Sequence, residues 1–193
     1  MAPFTDVYFA QLPSVLGRRG IFPPERETYI LQTGNPVLQR QRYYVWLLLE
    51  YALFHSLEKH LPELQLYGEN GKWTSPFCHF SLSHGDNGLA VAVSNSPVGV
   101  DIQKRIDKEK TQSFILSPNE VPLFENANDK TSFLTELWTK KESIFKASNE
   151  KRFMPCNVDT TTATAETRWI ELAGERYAVS ASSPIRHFEQ VQL

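Results

Sequence analysis

Residues 80–103 read FSLSHGDNGLAVAVSNSPVGVDIQ. GDNG separates FSLSH from LAVAVS, and NSP separates LAVAVS from VGVDIQ, so the stretch predicts three short strands joined by tight turns. Side chains alternate along a strand, which puts Val98, Val100 and Ile102 on one face of the third and Gly99, Asp101 and Gln103 on the other. The plainer account of that second face is a half-buried strand whose polar side meets water. The alternative is that Ser83 and His84 at one strand end, and Asp101 and Gln103 at another, serve a common site. A missing Cβ at Gly99 would let another backbone or a ligand come close beside the aspartate.

Upstream, residues 37–61 carry Leu38, Tyr44 or Val45, Leu48, Leu49, Ala52, Leu53 and Leu57 at helical spacing, with Pro62 as the stop. YGENGKW then gives a glycine-rich turn with Lys72 near its end. Downstream, KRIDKEK reads as a solvated charged linker. A short segment around Phe114 to Leu116, the start signal SPNE and a helix from about Lys130 to Ala147 follow. From Val158 onward, alternating Thr, Trp, Ile, Leu, Tyr and Val around Gly174 predict two or three further strands. The order is helix then strands, twice over, which makes the class α+β.

In TSFLTELWTKKESIFKA, Leu134, Leu137, Trp138, Lys141 and Phe145 form one stripe. A lone lysine in such a stripe is expected to pack its stem and snorkel its ammonium to the rim. Glu142 and Lys146 stand four apart on the flank of the stripe. They are either an ordinary helix ion pair or, with Lys141, a carboxylate and two cations facing whatever covers the helix. His84 is open to two readings as well, a hydrogen-bonded structural residue or a site group.

Composition narrows the classes. A chain of 193 residues, 41% hydrophobic and 22% charged, fits one soluble domain or two small lobes. A net charge of −2 supplies no global positive field for nucleic acid or an anionic membrane, so any anion site is local. Cys78 and Cys156 form no CxxC pair and suggest neither a disulfide framework nor a thiolate metal site, as suits a cytoplasmic protein. The opening residues do not read as a signal peptide. The most apolar run, YYVWLLLEYALF, is interrupted by Glu50 and falls short of the roughly 20 residues a membrane span needs.

FSLSH, VGVDIQ and LWTKKESIFK, in that order, resemble the three signature blocks of the 4′-phosphopantetheinyl transferase superfamily. YGENGKW is similar to the family's earlier Gly-Lys-Pro turn, and ILSPNE to its short Phe-Ser/Thr-x-x-Glu segment. The resemblance implies an enzyme that moves the phosphopantetheine arm of coenzyme A to a serine of an apo acyl carrier protein or a peptidyl or polyketide carrier domain, releasing adenosine 3′,5′-bisphosphate. It also implies two similar α+β lobes, here 1–103 and 104–193, with the coenzyme in the cleft between them and a monomer as the working form. By position, Asp101, Gln103 and Glu142 would hold Mg²⁺, with Glu142 doubling as the base. Lys72, Ser83, His84 and Lys146 would contact the coenzyme's phosphates, Lys146 also acting in catalysis by stabilising charge on the departing phosphate, and Lys141 would assist in binding the coenzyme.

Three positions depart from the family pattern. Gln103 stands where a glutamate is usual, keeping a carbonyl oxygen but losing a charge. Trp73 replaces the proline after Lys72, and Trp46 stands where an arginine is common, so Arg40 or Arg42 is expected to reach the nucleotide instead. The rival reading is a non-catalytic module that binds coenzyme A or a carrier protein.

Overall fold

The computed structural model describes residues 3–17, 22–69, 72–106, 112–148 and 150–193. The middle of YGENGKW and the 107–111 end of the charged linker lie outside the described residues. Strand β1 (Thr5–Gln11) and helices α1 (Pro24–Leu31) and α2 (Pro36–Leu57) come first. β2 (Tyr67–Glu69) and β3 (Lys72–Thr74) follow, and then β4 (His79–Gly85), β5 (Gly88–Ser94) and β6 (Val100–Lys104). The remainder comprises α3 (Gln112–Ile115), α4 (Val121–Glu125), α5 (Lys130–Ala147), β7 (Glu166–Leu172), β8 (Glu175–Ala181) and β9 (His187–Gln190). The class is α+β, as the order of elements predicts. No described helix is long and apolar enough to cross a membrane.

α2 begins where Pro36 occupies the first turn and the Asn35 side chain accepts from the N–H groups of Val37 and Leu38. It ends at Leu57, a turn short of the expected Leu61, with Glu58 in the left-handed region at φ 54°. The reason is Glu50, whose carboxylate accepts from the Leu61 N–H at 2.7 Å and bonds the His60 ring at 2.7 Å, turning the chain back along the helix. α5 spans the expected residues. Its cap, Asp129, accepts from the Ser132 N–H at 3.0 Å.

The strands form a four-stranded sheet ordered β4-β5-β1-β9, a three-stranded sheet ordered β6-β8-β7 and a β2-β3 hairpin. Alternation along β1 and β5 divides the first sheet between two cores. Tyr8, Ala10, Leu89, Val91 and Val93 pack with Trp46, Leu48, Leu49 and Leu53 of α2. Val7, Phe9, Ala90 and Ala92 pack instead with Val100, Ile102, Tyr177 and Val179 of the second sheet. Because β5 is buried on both faces it reads as a continuous run of small apolar residues, and those small side chains let the two sheets approach.

β1 and α1 were not foreseen. β1 has the double-sided burial of β5 and hence no clean period-two signal, while α1 does carry Pro24, Glu25 and Glu27 in its first turn. The chain does not part cleanly at Gln103, because β9 returns from the C-terminal end to pair in parallel with β1. The Asp6–Arg186 ion pair and the Arg186 N–H to Thr5 carbonyl bond at 2.8 Å secure that return.

Candidate active site

β4 and β6 are edge strands of different sheets, joined by side chains. The Ser81 and Ser83 hydroxyls accept from the backbone N–H groups of Val100 at 3.0 Å and Ile102 at 3.2 Å. Serines two apart on one strand match N–H groups two apart on the other. The S-x-S of FSLSH thus supplies the acceptors that a missing ladder strand would have provided.

The Asp101 face of β6, with Gly99 just ahead of the strand, is not turned to water. It lies under α5, and the approach is close: a Cβ on Gly99 would stand 1.9 Å from the Ser143 carbonyl oxygen and 2.9 Å from Lys146 Cβ. The absent side chain therefore admits a helix backbone. Gly99→Ala is expected to lift α5 off β6, costing roughly 1–3 kcal/mol in urea unfolding and lowering the variant's affinity for any ligand of the Asp101–Lys146 region. A variant as stable as the wild type would mean the helix can shift freely.

What α5 delivers over β6 is Lys146 and Glu142. The Lys146 ammonium donates to Asp101 Oδ1 at 2.8 Å, Ser83 Oγ at 3.1 Å and the Val100 carbonyl at 3.1 Å, and it lies 3.7 Å from Glu142 Oε2. Asp101, buried at 6% exposure, also accepts from Ser83 Oγ at 2.7 Å. Burial, then the nearby Asp101 charge, pushes the Glu142 carboxyl above its ordinary range despite Lys146. Two carboxylates, a hydroxyl and a carbonyl around one ammonium make a set of oxygen donors suited to a hard cation, with Lys146 as the stand-in.

Gln103 does not join this cage. Its amide nitrogen donates to the Lys104 carbonyl at 3.1 Å. Among the described residues no third His, Cys, Asp or Glu completes a metal cluster with Asp101 and Glu142.

Lys141 departs most from its expected position. Its ammonium neither snorkels nor faces the cleft: it is fully buried and donates to the Ile115 carbonyl at 2.7 Å, Glu120 Oε2 at 2.5 Å and the Pro155 carbonyl at 3.0 Å. Glu120, equally buried, also accepts from the Ser117 N–H and from both the N–H and hydroxyl of Thr160. Burial raises Glu120, but Lys141 and the other donors outweigh it and hold the carboxyl below its ordinary range. The pair pins α5 to the loops preceding α4 and following residue 154.

His84 lies on the other side of β4 from Ser83, towards α1 and α2. Burial first, then the charges of Lys146, Arg26 and Arg42, pulls its pKa down to about 4. The imidazole is neutral in the folded protein, whereas an unfolded histidine titrates near 6.5. The unfolded chain therefore binds the extra proton between those values, and stability is lost as pH falls from about 6.5 towards 4, by roughly 3 kcal/mol in total. Urea unfolding across that range should show the loss, and His84→Gln should flatten it; equal pH slopes in the two proteins would remove His84 as the source.

Arg42 reaches this region and Arg40 does not. Arg42 stacks over Tyr29 at 3.9 Å and donates to the Tyr29 carbonyl at 2.6 Å. Arg40 instead lines a separate cavity of about 710 Å³ with Gln11, Ser14, Asn87 and Gln190. Arg26, on the unforeseen α1, is the cation the sequence reading missed. It is 2% exposed, donates to the Arg42 carbonyl, stacks over the Trp46 ring at 4.6 Å and is pulled down to about 10 by burial. Trp46 in turn meets Trp73 edge-on at 4.9 Å, so the two tryptophan departures are one packed unit with a guanidinium on it. PPERE was the available signal for α1, but nothing local indicates that its arginine lies on a tryptophan of α2.

Lys72 and Lys146 line a second cavity of about 690 Å³, between β3–β4 and the C-terminal end of α5, together with Trp73, Ser81 and Phe145.

Residues 97–187, which include VGVDIQ and LWTKKESIFK, match the 4′-phosphopantetheinyl transferase superfamily, the family that the sequence resembles. Among curated proteins the chain is similar to the 4′-phosphopantetheinyl transferase gsp of Aneurinibacillus migulanus, 33% identical over 104 residues, covering 50% of this chain and 44% of that protein. It is also similar to a 4′-phosphopantetheinyl transferase of Bacillus subtilis, 30% identical over 98 residues and covering 48% and 42%. The 4′-phosphopantetheinyl transferase Sfp of Bacillus subtilis strain 168 is 28% identical over 94 residues, covering 47% and 42%. The aligned stretch thus spans less than half the length of these relatives.

Proposed function

We propose that the protein transfers the 4′-phosphopantetheine arm of coenzyme A to a serine of an apo carrier protein, releasing adenosine 3′,5′-bisphosphate. The observation that carries this reading is the convergence of Asp101 from β6 with Glu142 and Lys146 from α5, where Lys146 also lines the cavity that contains Lys72. It is supported by the match over residues 97–187. The two halves, each a sheet carrying one long helix, would frame the coenzyme.

The serine oxygen of the carrier forms a new bond to the phosphorus bearing the pantetheine, and the bond from that phosphorus to the bridging pyrophosphate oxygen breaks. The electron pair leaves with the adenosine bisphosphate. Glu142 takes the serine proton. Asp101 and Glu142 would hold Mg²⁺, and Gln103 would offer its neutral carbonyl oxygen only on turning its amide from the Lys104 carbonyl; when bound, such an ion draws charge from the pyrophosphate and aligns the attack. Lys72 and Lys146 neutralise phosphate charge from two sides of the cavity. Ser83, whose one proton is committed to Asp101, acts as a positioning residue rather than a phosphate donor. Arg42, close enough to His84 to lower its pKa, would reach the nucleotide end, with Arg26 buried on Trp46 and donating to the Arg42 carbonyl, while Lys141 positions α5 from inside.

Incubation with coenzyme A, Mg²⁺ and a panel of apo carrier proteins, followed by intact mass measurement, tests the reading. A gain of one phosphopantetheine on at least one carrier is expected. Coenzyme A binding by the folded protein with no gain on any carrier would establish the non-catalytic module instead.

A further inference from the structure

The three protons of the Lys146 ammonium are all committed, to Asp101 Oδ1, Ser83 Oγ and the Val100 carbonyl. In this position the group has no donor left for a phosphate. It also stands between the two carboxylates that a divalent ion would use, 2.8 Å from one and 3.7 Å from the other. Two cations at contact distance from the same oxygen repel strongly in so sheltered a place. Lys146 and a divalent ion therefore compete for the same two carboxylates.

We propose that Lys146 is the resident cation of the Asp101–Glu142 pair and is exchanged for the divalent ion, and that the exchange releases its ammonium into the neighbouring cavity to meet coenzyme phosphate. The inference rests on the transferase reading of this site. Lysine suits the task, being a compact charge on a flexible four-carbon stem; an arginine fork would hold the carboxylate more rigidly. The way out is open, since Lys146 is 27% exposed and already lines the cavity of about 690 Å³ that contains Lys72. Until metal arrives, the ammonium keeps two crowded carboxylates compensated. Once it has left, each ligand favours the other's site, so metal and coenzyme bind cooperatively.

Titration of Mn²⁺ alone, read by the loss of its free-ion paramagnetic resonance signal, tests the exchange in the wild type and in Lys146→Met. The variant is expected to bind Mn²⁺ at least about tenfold more tightly, because its competitor is gone. Coenzyme A should tighten Mn²⁺ binding in the wild type and do so much less in the variant. Equal or weaker Mn²⁺ binding by the variant overturns the exchange while leaving transfer by the wild type standing. Absence of Mn²⁺ binding by both proteins, with and without coenzyme A, overturns the exchange together with the metal-dependent reading.

Should Lys146→Met fail to fold, the wild type decides. The ¹⁵Nζ resonance of Lys146, assigned by its loss in Lys146→Arg, is expected to shift and exchange faster when Mg²⁺ alone is added. A resonance unchanged up to saturating Mg²⁺ overturns the proposal.

Discussion

Glu142→Gln is expected to slow carrier modification by roughly 10²–10⁴-fold, the usual contribution of a positioned general base. The substitution keeps the shape of the side chain, so α5 and the placement of Lys146 survive. It removes the proton acceptor and one of the two charges facing the ammonium. Single-turnover measurements with coenzyme A already bound separate the two losses: the chemical step falls by the full factor, while coenzyme A affinity changes far less. The pH profile gives a second check. A base acts only when deprotonated, so the wild-type rate should decline on acidification. In the residual activity of Glu142→Gln that decline should be absent. Transfer within about tenfold of wild type would remove Glu142 from the role of base.

Lys141→Met is expected to be the most destabilising of these substitutions, by about 3–5 kcal/mol in urea unfolding, because it strips the counter-charge from a fully buried carboxylate. Ser117 and Thr160 still donate to Glu120, which favours the lower part of that range. Adding Glu120→Gln removes the uncompensated charge and should restore much of the loss. The sign with pH follows from Glu120 being held below its ordinary range. Its stabilising contribution is complete above the unfolded-state value and is lost as pH falls through the folded one. In Lys141→Met that acid-side loss should shrink. A Lys141→Met protein within about 1 kcal/mol of wild type would show that the pair adds little to what it replaces, as some buried ion pairs do.

Lys141 also shows how far local sequence reaches. Its place in the apolar stripe of α5 was legible, and for an isolated helix snorkelling is the reasonable outcome. What reversed it is non-local: the Ile115 and Pro155 carbonyls and Glu120 converge on one point from segments 14 to 26 residues away. Ser83 shows the same limit. FSLSH announces two serines on one face of a strand, but the partner N–H groups belong to a strand of another sheet, 19 residues on. Arg26 escaped for a related reason, since its partner Trp46 lies on a different helix.

The sequence by itself determined the α+β order, the full extent of α5, the β4-β5 hairpin and the family signature, because each rests on periodicity, turn residues or spacing within a few positions. It also located the acidic and basic groups that meet at the site. Only the tertiary structure decided what each of them does there. Gly99 admits the backbone of α5 rather than a ligand, Ser83 holds Asp101, Lys146 sits between two carboxylates and Lys141 is sealed in the core. Those roles depend on which partner fills the hydrogen-bonding capacity of each group, and the partners are fixed by the packing of two sheets and two helices, not by neighbours along the chain.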